Sequence, residues 1–274
     1  MRLPRRAFSP HHNDKRKYFW RQMANYKAQA INLKSYNLGE SDKIMVMYSR
    51  EHGLIRCVAK GAKKASSSLG GRMQLLVANN LLLAKGRNLD IVCQAEIIDS
   101  FSSIRNDMTK LIYSFYCAEL ITNFGLENDT NCKNIYDISF EALKNISIFS
   151  SLEEILWTVI RFKLRLMEAV GYAVELNSCA KCNEIEQNYN TYHFFCAESG
   201  GVICSMCDIK ANNAVELDKR HINIFKDAQL YDFPENNDNF DRILLYSCFN
   251  ILKEYVSAKS DRKLKTPEMI ESLC

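Results

Sequence analysis

The stretch that decides the fold covers residues 26–64 and reads YKAQAINLKSYNLGESDKIMVMYSREHGLIRCVAKGAKK. Apolar and polar side chains alternate along it. Ile31 and Leu33 are separated by a polar residue, and Ile44 and Val46 repeat this spacing after a turn. A period of two is typical of strands with one buried face. The sequence therefore begins with β-strands joined by short turns.

Three more predicted strands follow. One covers residues 54–59, and two cover 75–84 and 89–98, beyond a Ser- and Gly-rich loop. Five strands fit into about 75 residues, and they leave no helix long enough for a parallel crossover. Closure removes exposed strand edges, so this pattern predicts a small antiparallel barrel.

The period changes to three and four residues near Asp107, which indicates an amphipathic helix that begins there. Ser150 and Ser151 each have a Glu three residues on, Glu153 and Glu154, which is the spacing of a capping box, and Gly171 stands where the helix would end. Helical patterns after the first cover residues 135–146, 152–170 and 243–256. The predicted class is α+β, with a helical second half.

Length, composition and cysteine count describe a folded protein of a reducing compartment. A chain of 274 residues predicts two domains, and 47% hydrophobic with 25% charged residues is typical of globular proteins. No apolar stretch is long enough for a membrane helix. Eleven cysteines are an odd number, which argues against a closed disulfide framework, and the basic start lacks the apolar part of a secretory signal. We expect a cytoplasmic protein.

Positive charge is concentrated in one folded segment. Residues 54–89 carry a net charge of +7 without an Asp or Glu, residues 1–22 carry +6, and the rest of the chain sums to −9. Such a segment on an otherwise acidic protein favours a polyanionic partner. The candidate nucleic-acid contacts are Arg56, Lys60, Lys63, Lys64, Arg72, Lys85 and Arg87.

Residues 1–22 contain two prolines, a His pair and no apolar period, which predicts a disordered basic extension. Met23 directly precedes the first patterned segment, so translation starting there is one interpretation. A basic arm that binds nucleic acid is the alternative.

Two Cys-x-x-Cys pairs predict a metal centre. Cys179 and Cys182 are separated from Cys204 and Cys207 by 21 residues. Four thiolates can surround one structural Zn²⁺, and they leave no position for a catalytic water. Cys196 and His193 lie between the pairs and are competing ligand candidates. Reduced surface knuckles or redox-active disulfides are the alternatives.

Patterns of the common enzyme classes are missing. The chain contains no nucleophile elbow, no dinucleotide-binding glycine motif and no Walker sequence. We therefore expect no catalytic residues. Tyr26, Tyr36 and Tyr48 could stack on unpaired bases if their strands face a binding groove; the alternative for each is a place in the core or at its rim.

The order of several short motifs resembles the bacterial recombination mediator family RecO. The motifs are YNLGESDK at 36–43, EHGL at 51–54, VAKGAKK at 58–64, LGG at 69–71, QAEIIDS at 94–100, RFKLRLMEAVGY at 161–172 and SGGVIC at 199–204. With the cysteine pairs they cover the chain from about residue 26 to residue 258. Each motif is weak alone, and the whole order is specific.

The resemblance implies an oligonucleotide-binding (OB-fold) barrel over 23–100, a mainly α-helical domain over 101–175 and 211–260, and a zinc-ribbon-like insertion over 176–210. It leaves residues 261–274, which we expect to be a flexible tail. DNA contact carries over onto Lys60, Lys63, Lys64 and Arg72.

The resemblance also implies a non-enzymatic function in DNA repair and homologous recombination at the nucleoid. Such a protein binds single- and double-stranded DNA, anneals complementary strands, and works with RecR and sometimes RecF. It helps to load RecA onto DNA coated by single-strand binding protein, whose C-terminal tail is a further expected partner. The open alternatives are a zinc-ribbon RNA-binding or transcription-associated module and a zinc-dependent nucleic-acid enzyme.

Overall fold

The computed structural model describes residues 24–184, 192–208, 214–231 and 241–272. The predicted basic extension at 1–22 lies outside these residues. Among the helices that the structure describes, none combines the length and apolar character needed to cross a bilayer.

The five predicted strands form a closed barrel. They are β1 (Asn25–Leu38), β2 (Asp42–Ser49), β3 (Gly53–Ala59), β4 (Ala78–Ala84) and β5 (Asp90–Asp99), in the order β1-β2-β3-β5-β4. Four neighbouring pairs are antiparallel, and β3 pairs with β5 in parallel. A ring of five strands cannot alternate in direction throughout, so one parallel pair is required. The predicted barrel is confirmed, with this one pair as the exception to its antiparallel pattern.

The loop at residues 60–77 closes one end of the barrel. Ala62 and Met73 from this loop pack with the barrel interior, which consists mainly of small and unbranched side chains such as Ala30 and Met47. The buried Asn32 amide donates to the carbonyl oxygens of Arg72 at 2.8 Å and Gln74 at 2.7 Å. These bonds fix the loop that carries several of the predicted basic contacts.

The second half is helical, as predicted. After a short 3-10 helix at Ser102–Asn106 come α1 (Met108–Phe124), α2 (Cys132–Ile148), α3 (Leu152–Ala169), α4 (Ser205–Asp208), α5 (Lys219–Leu230), α6 (Arg242–Lys259) and α7 (Thr266–Glu271). The Asp107 side chain caps α1. Of the two candidate capping boxes, the one formed by Ser151 and Glu154 caps α3. The sequence analysis did not identify α5 and α7.

Residues near the C-terminus contact α1. The Glu119 carboxylate accepts from the backbone N–H groups of Lys265 and Thr266 and from the Thr266 hydroxyl, and it thereby caps α7. Thr266, Pro267 and Ile270 are buried. This segment therefore packs on the helical domain, where we expected a flexible tail at 261–274. The difference arises because the partner carboxylate lies far away in the sequence.

A three-stranded sheet carries the cysteine segment. It consists of β6 (Tyr192–Cys196), β7 (Gly201–Cys204) and β8 (Ala214–Glu216) in the order β7-β6-β8. Phe195 is buried against Phe225 of α5 and Tyr255 of α6. The insertion is therefore packed onto the helical domain.

One part of the outer barrel surface is buried against the helices. Ile31, Leu33, Val46, Tyr48 and Leu54 belong to the same hydrophobic core as the helical domain. The interior of the barrel is a separate apolar cluster. The two domains therefore share a continuous apolar contact.

Backbone pairing adds to this contact. Leu54 N–H donates to Leu126 O at 2.9 Å, and Asn128 N–H donates to His52 O at 2.9 Å. Gly53 has a φ of +65°, and a Cβ there would lie 2.2 Å from Leu126 O. Glycine is thus required where the β2–β3 turn meets the loop between α1 and α2.

A lysine is buried in the helical core. Lys163 of α3 is fully buried, and its Nζ donates to Phe249 O at 2.6 Å and lies 3.8 Å from the centre of the Phe249 ring. Burial lowers the pKa of Lys163 well below the ordinary value of 10.5. The same effect raises the pKa of the neighbouring Cys117 and Cys248 thiols to about 12.

This burial predicts a pH-dependent stability. The unfolded chain binds the Lys163 proton up to the ordinary pKa, whereas the folded protein releases it at lower pH. Raising the pH from about 7 to about 10 should therefore stabilise the wild type relative to Lys163→Met, by up to about 1.4 kcal/mol per pH unit. Chemical denaturation across this range measures the difference, with exposed Lys144→Met as the charge-loss control. A difference that does not change with pH would contradict the buried site.

Candidate nucleic-acid interface and metal centre

A row of side chains crosses the outer surface of four barrel strands. Tyr36 pairs with Ile44, Ile44 with Val58, and Val58 with Ile91. Their neighbours along the strands, such as Met45 and Cys57, point into the barrel, so strand alternation directs this row outward. Tyr36 is 56% exposed, and the other three are half-buried. We call these four residues the apolar row.

Cations flank the apolar row on both sides. On one side lie Lys34 of β1 and Arg56 of β3. Both pair with Val46 of β2, which is two residues from Ile44 along that strand. On the other side, Lys60 follows β3, close to Asp42. Arg56 lies on β3 and Lys60 directly after it, and their separation of four residues corresponds to about 13 Å. Stacking surface between phosphate-binding cations is the arrangement that single-stranded nucleic acid requires.

Four of the predicted contacts lie on the loop that closes the barrel. Lys60, Lys63 and Lys64 are exposed, and Arg72 is half-buried. Lys63 Nζ donates to Gly39 O at 3.4 Å, and the Arg72 guanidinium donates to Ser68 O. Both bonds are to backbone carbonyl oxygens and leave the positive charges unneutralised.

One carboxylate lies close to these lysines. Gly61 N–H donates to Asp42 at 2.8 Å. This bond, together with the Ser41 hydroxyl and the charges of Lys60 and Lys64, lowers the pKa of Asp42. Asp42 therefore stays ionised and orders the start of the loop.

The other three predicted contacts lie around a cleft. Arg56, Lys85 and Arg87 line a cavity of about 360 Å³ between the barrel and the loop after α1. Arg56 pairs with Glu127 at 2.5 Å, and Lys85 with Asp90 at 3.6 Å. Residues 54–89 contain no carboxylate, but the fold supplies two from outside that range. The seven residues thus divide into two groups. The loop group is Lys60, Lys63, Lys64 and Arg72, and the cleft group is Arg56, Lys85 and Arg87. Arg56 and Lys60 connect the two groups, because they lie on β3 and directly after it.

The three candidate tyrosines have different surroundings. Tyr36 is exposed in the apolar row, whereas Tyr48 is fully buried against the helical domain. Tyr48 cannot stack on a base there, so of the two interpretations the core position is the correct one for this residue. Tyr26 lines the cleft, and its hydroxyl donates to Asp90. Burial and this hydrogen bond raise the pKa of Tyr26, so its hydroxyl remains protonated.

The four predicted cysteines come together. The sulfurs of Cys179, Cys182, Cys204 and Cys207 lie within 4.8 Å of one another, and the Cys182 and Cys204 sulfurs are 3.9 Å apart. A tetrahedral ion with metal–sulfur distances of about 2.3 Å would hold sulfurs about 3.8 Å apart. The cluster therefore has the geometry of a metal centre. All four are free thiols, which excludes disulfides between the pairs in this structure.

Local backbone geometry forms the two knuckles. Asn183 has a φ of +60°, and its N–H donates to Cys179 O at 2.8 Å, which closes the first turn. Cys204 ends β7, and Cys207 lies in α4. The first pair is thus presented from a tight turn, and the second from the end of β7 and the single turn of α4.

The electrostatics of the cluster favour a cation. Burial opposes ionisation of Cys179, but N–H groups of Cys182, Cys204 and Lys181 lower its pKa to about 6. Cys204 and burial raise the pKa of Cys207 to about 12. Four neighbouring thiolates repel one another unless a metal ion compensates their charge.

Of the two competing ligand candidates, Cys196 does not join the cluster. Cys196 is buried outside it and accepts from the Ser199 hydroxyl at 3.1 Å. The side chain of His193 lies outside the described residues.

These features define a class: a two-domain protein with an OB-type barrel, a basic outer face and, in its helical domain, a four-cysteine cluster that could hold a metal ion. Family models match both parts. The model described as recombination protein O N terminal matches residues 23–101, and recombination protein O C terminal matches residues 105–268.

Curated relatives match over most of their length. DNA repair protein RecO of Desulforamulus reducens is 29% identical over 253 residues, which are 92% of this chain and 96% of the relative. The protein of the same name from Pelotomaculum thermopropionicum is 31% identical over 252 residues, 89% and 93% of the two chains. The chain belongs to the RecO family.

The cluster predicts a metal dependence of stability. We expect freshly purified protein to contain about one metal ion per chain, and Cys182→Ser to lose both that ion and thermal stability, because three thiolates bind more weakly. Elemental analysis and thermal unfolding measure the two effects, with exposed Cys93→Ser as the control. Metal-free wild type, or Cys182→Ser with full metal content, would contradict the assignment.

Proposed function

We propose that this protein is a DNA repair and recombination mediator that binds single- and double-stranded DNA and anneals complementary strands. It then helps to load RecA onto DNA coated by single-strand binding protein. Family membership supports the general role, because the relatives are named DNA repair proteins. In this proposal the protein acts without catalysing a reaction.

The observation that carries the DNA-binding part is the apolar row between two lines of cations. OB-fold barrels bind oligonucleotides on the face of strands 2 and 3, and this row crosses β2 and β3. Tyr36 offers a ring to unpaired bases, and Lys34, Arg56 and Lys60 are placed for phosphates on either side. Stacking tolerates any base sequence, so binding should be sequence-independent.

The annealing activity follows from charge. Two complementary strands repel each other through their phosphates, and a cationic surface that neutralises both lowers this repulsion. The loop group adds Lys63 and Lys64 next to the apolar row, so more than one strand can meet positive charge there. Double-stranded DNA would bind the same cations through its phosphates alone.

The proposed metal is one structural Zn²⁺ per chain. Four thiolates whose sulfurs lie within 4.8 Å of one another suit zinc and leave no open coordination position. The ion would hold residues 179–182 and 204–207 together. Its role would be to stabilise the insertion, whose residues are far from the barrel face in the sequence.

The proposed partners are RecR, in some settings RecF, the C-terminal tail of single-strand binding protein and, indirectly, RecA. This network places the protein in the cytoplasm beside the nucleoid. The basis for these partners is the family alone.

The loop group predicts a salt-dependent DNA affinity. The triple variant Lys60→Ala, Lys63→Ala and Lys64→Ala should bind single-stranded DNA at least about tenfold more weakly. The slope of log affinity against log salt should fall by about 2, because three phosphate contacts are lost at about 0.7 each. Fluorescence anisotropy with labelled oligonucleotides at several salt concentrations measures both.

A matched control replaces three exposed lysines of the helical domain, Lys133, Lys144 and Lys219, with Ala. This control should keep the wild-type affinity and slope. Equal losses in both triple variants would show that only net charge matters and would refute the loop group. Stronger binding of structured RNA than of single-stranded DNA in competition would favour an RNA-binding module.

A further inference from the structure

We propose that the cleft between the barrel and the helical domain holds one unstacked nucleotide of a bound single strand. This inference rests on the proposed DNA binding and adds a separate site to it. The cleft is lined by residues of β1, β3, the turn between β4 and β5, and the loop between α1 and α2. It adjoins the apolar row through Arg56, which flanks the row and also lines the cleft.

The size of the cleft fits one nucleotide. Its volume of about 360 Å³ lies at the lower end of the range for small-molecule sites. A duplex is much wider than such a cleft, and a base reaches it only after leaving its stack. The site therefore distinguishes unpaired from paired DNA.

One carboxylate holds the barrel side of the cleft in place. Asp90 accepts from the Tyr26 hydroxyl and from Gly86 N–H at 3.0 Å, and it pairs with Lys85. A Cβ on Gly86 would lie 1.9 Å from Leu89 O, so glycine is required in this turn. The turn that carries Lys85 and Arg87 is thus fixed before any ligand binds, which lowers the entropic cost of binding.

The opposite wall is also fixed. The bond from Asn128 N–H to His52 O holds the loop after α1 against the β2–β3 turn. The His52 ring meets the Tyr26 ring edge-on, with centroids 4.8 Å apart. The cleft therefore combines two aromatic rings with the amide side chains of Asn88 and Asn128.

The chemistry of the lining matches a nucleotide. The aromatic rings offer stacking surface, and the amides can donate to and accept from base edges. Arg56, Lys85 and Arg87 together with Asp90 and Glu127 give a net charge of +1. One phosphate carries a matching charge. The several carboxylates of an acidic peptide exceed this net charge of +1, and such a peptide has no ring to stack on Tyr26 and His52, so we infer a nucleotide as the occupant.

Photo-crosslinking of the wild-type protein tests the placement directly. A single-stranded oligonucleotide with 5-iododeoxyuridine at one position is irradiated in complex with the protein, and crosslinked peptides are mapped by mass spectrometry. We expect crosslinks at Tyr26 or His52 with the single strand and none there with the same sequence as a duplex. Crosslinks confined to Tyr36 or to the helical domain would overturn the inference.

Affinity measurements separate this site from the general DNA surface. Tyr26→Leu should weaken single-strand binding by about tenfold. Arg87→Gln, a variant in the exposed turn between β4 and β5, should weaken single-strand binding as well. Tyr26→Leu should leave duplex binding unchanged. Exposed Tyr231→Leu in the helical domain is the control. Thermal unfolding of each variant checks that the fold is retained.

The results distinguish failure of the cleft inference from failure of the proposed function. If wild-type protein binds no DNA, the proposed function itself fails. If it binds DNA and the lysine triple variant weakens binding, but Tyr26→Leu and Arg87→Gln do not, the cleft inference fails alone. A competition experiment adds either an aspartate-rich octapeptide or thymidine monophosphate to the bound strand. If only the octapeptide displaces the strand from the cleft, the occupant is an acidic peptide and the inference is overturned.

Discussion

The burial of one part of the barrel's outer surface against the helices is the constraint on which the rest of the structure depends. Ile31, Tyr48 and Leu54 point out of the barrel and enter the core of the helical domain. Fully burying side chains of this size contributes about 1.5–3 kcal/mol each. This contact covers one end of the β1–β2–β3 face and leaves the other end, with Tyr36 and Lys60, open to a ligand.

The same contact creates the cleft. The loop after α1 reaches the barrel through Leu126 and Asn128, and the space between this loop and the β4–β5 turn is lined by cations from one domain and amide and carboxylate groups from both. The cysteine cluster lies in another part of the helical domain and contributes no residue to either surface. The barrel thus supplies the cations and aromatic rings of both surfaces, and the helical domain supplies one wall of the cleft.

Local features were predictable from the sequence, and the choice of exposed face was not. Alternation around Ile44 predicted the strands, and the spacing of Ser151 and Glu154 predicted the start of α3, because both depend on residues close in sequence. Alternation shows which side chains share a face but not which face is covered, so it left both interpretations of Tyr48 open. The ion pair between Arg56 and Glu127 joins residues 71 positions apart, which no local pattern reveals.

Hydrogen–deuterium exchange with and without a single-stranded oligonucleotide tests the central claim most directly. If the open end of the barrel face is the DNA surface, protection should appear at residues 34–44, 56–64 and 85–89. The helices α1 to α3 should exchange as in the free protein. Protection confined to the cysteine insertion or to the helical domain, with an unchanged barrel, would contradict the account.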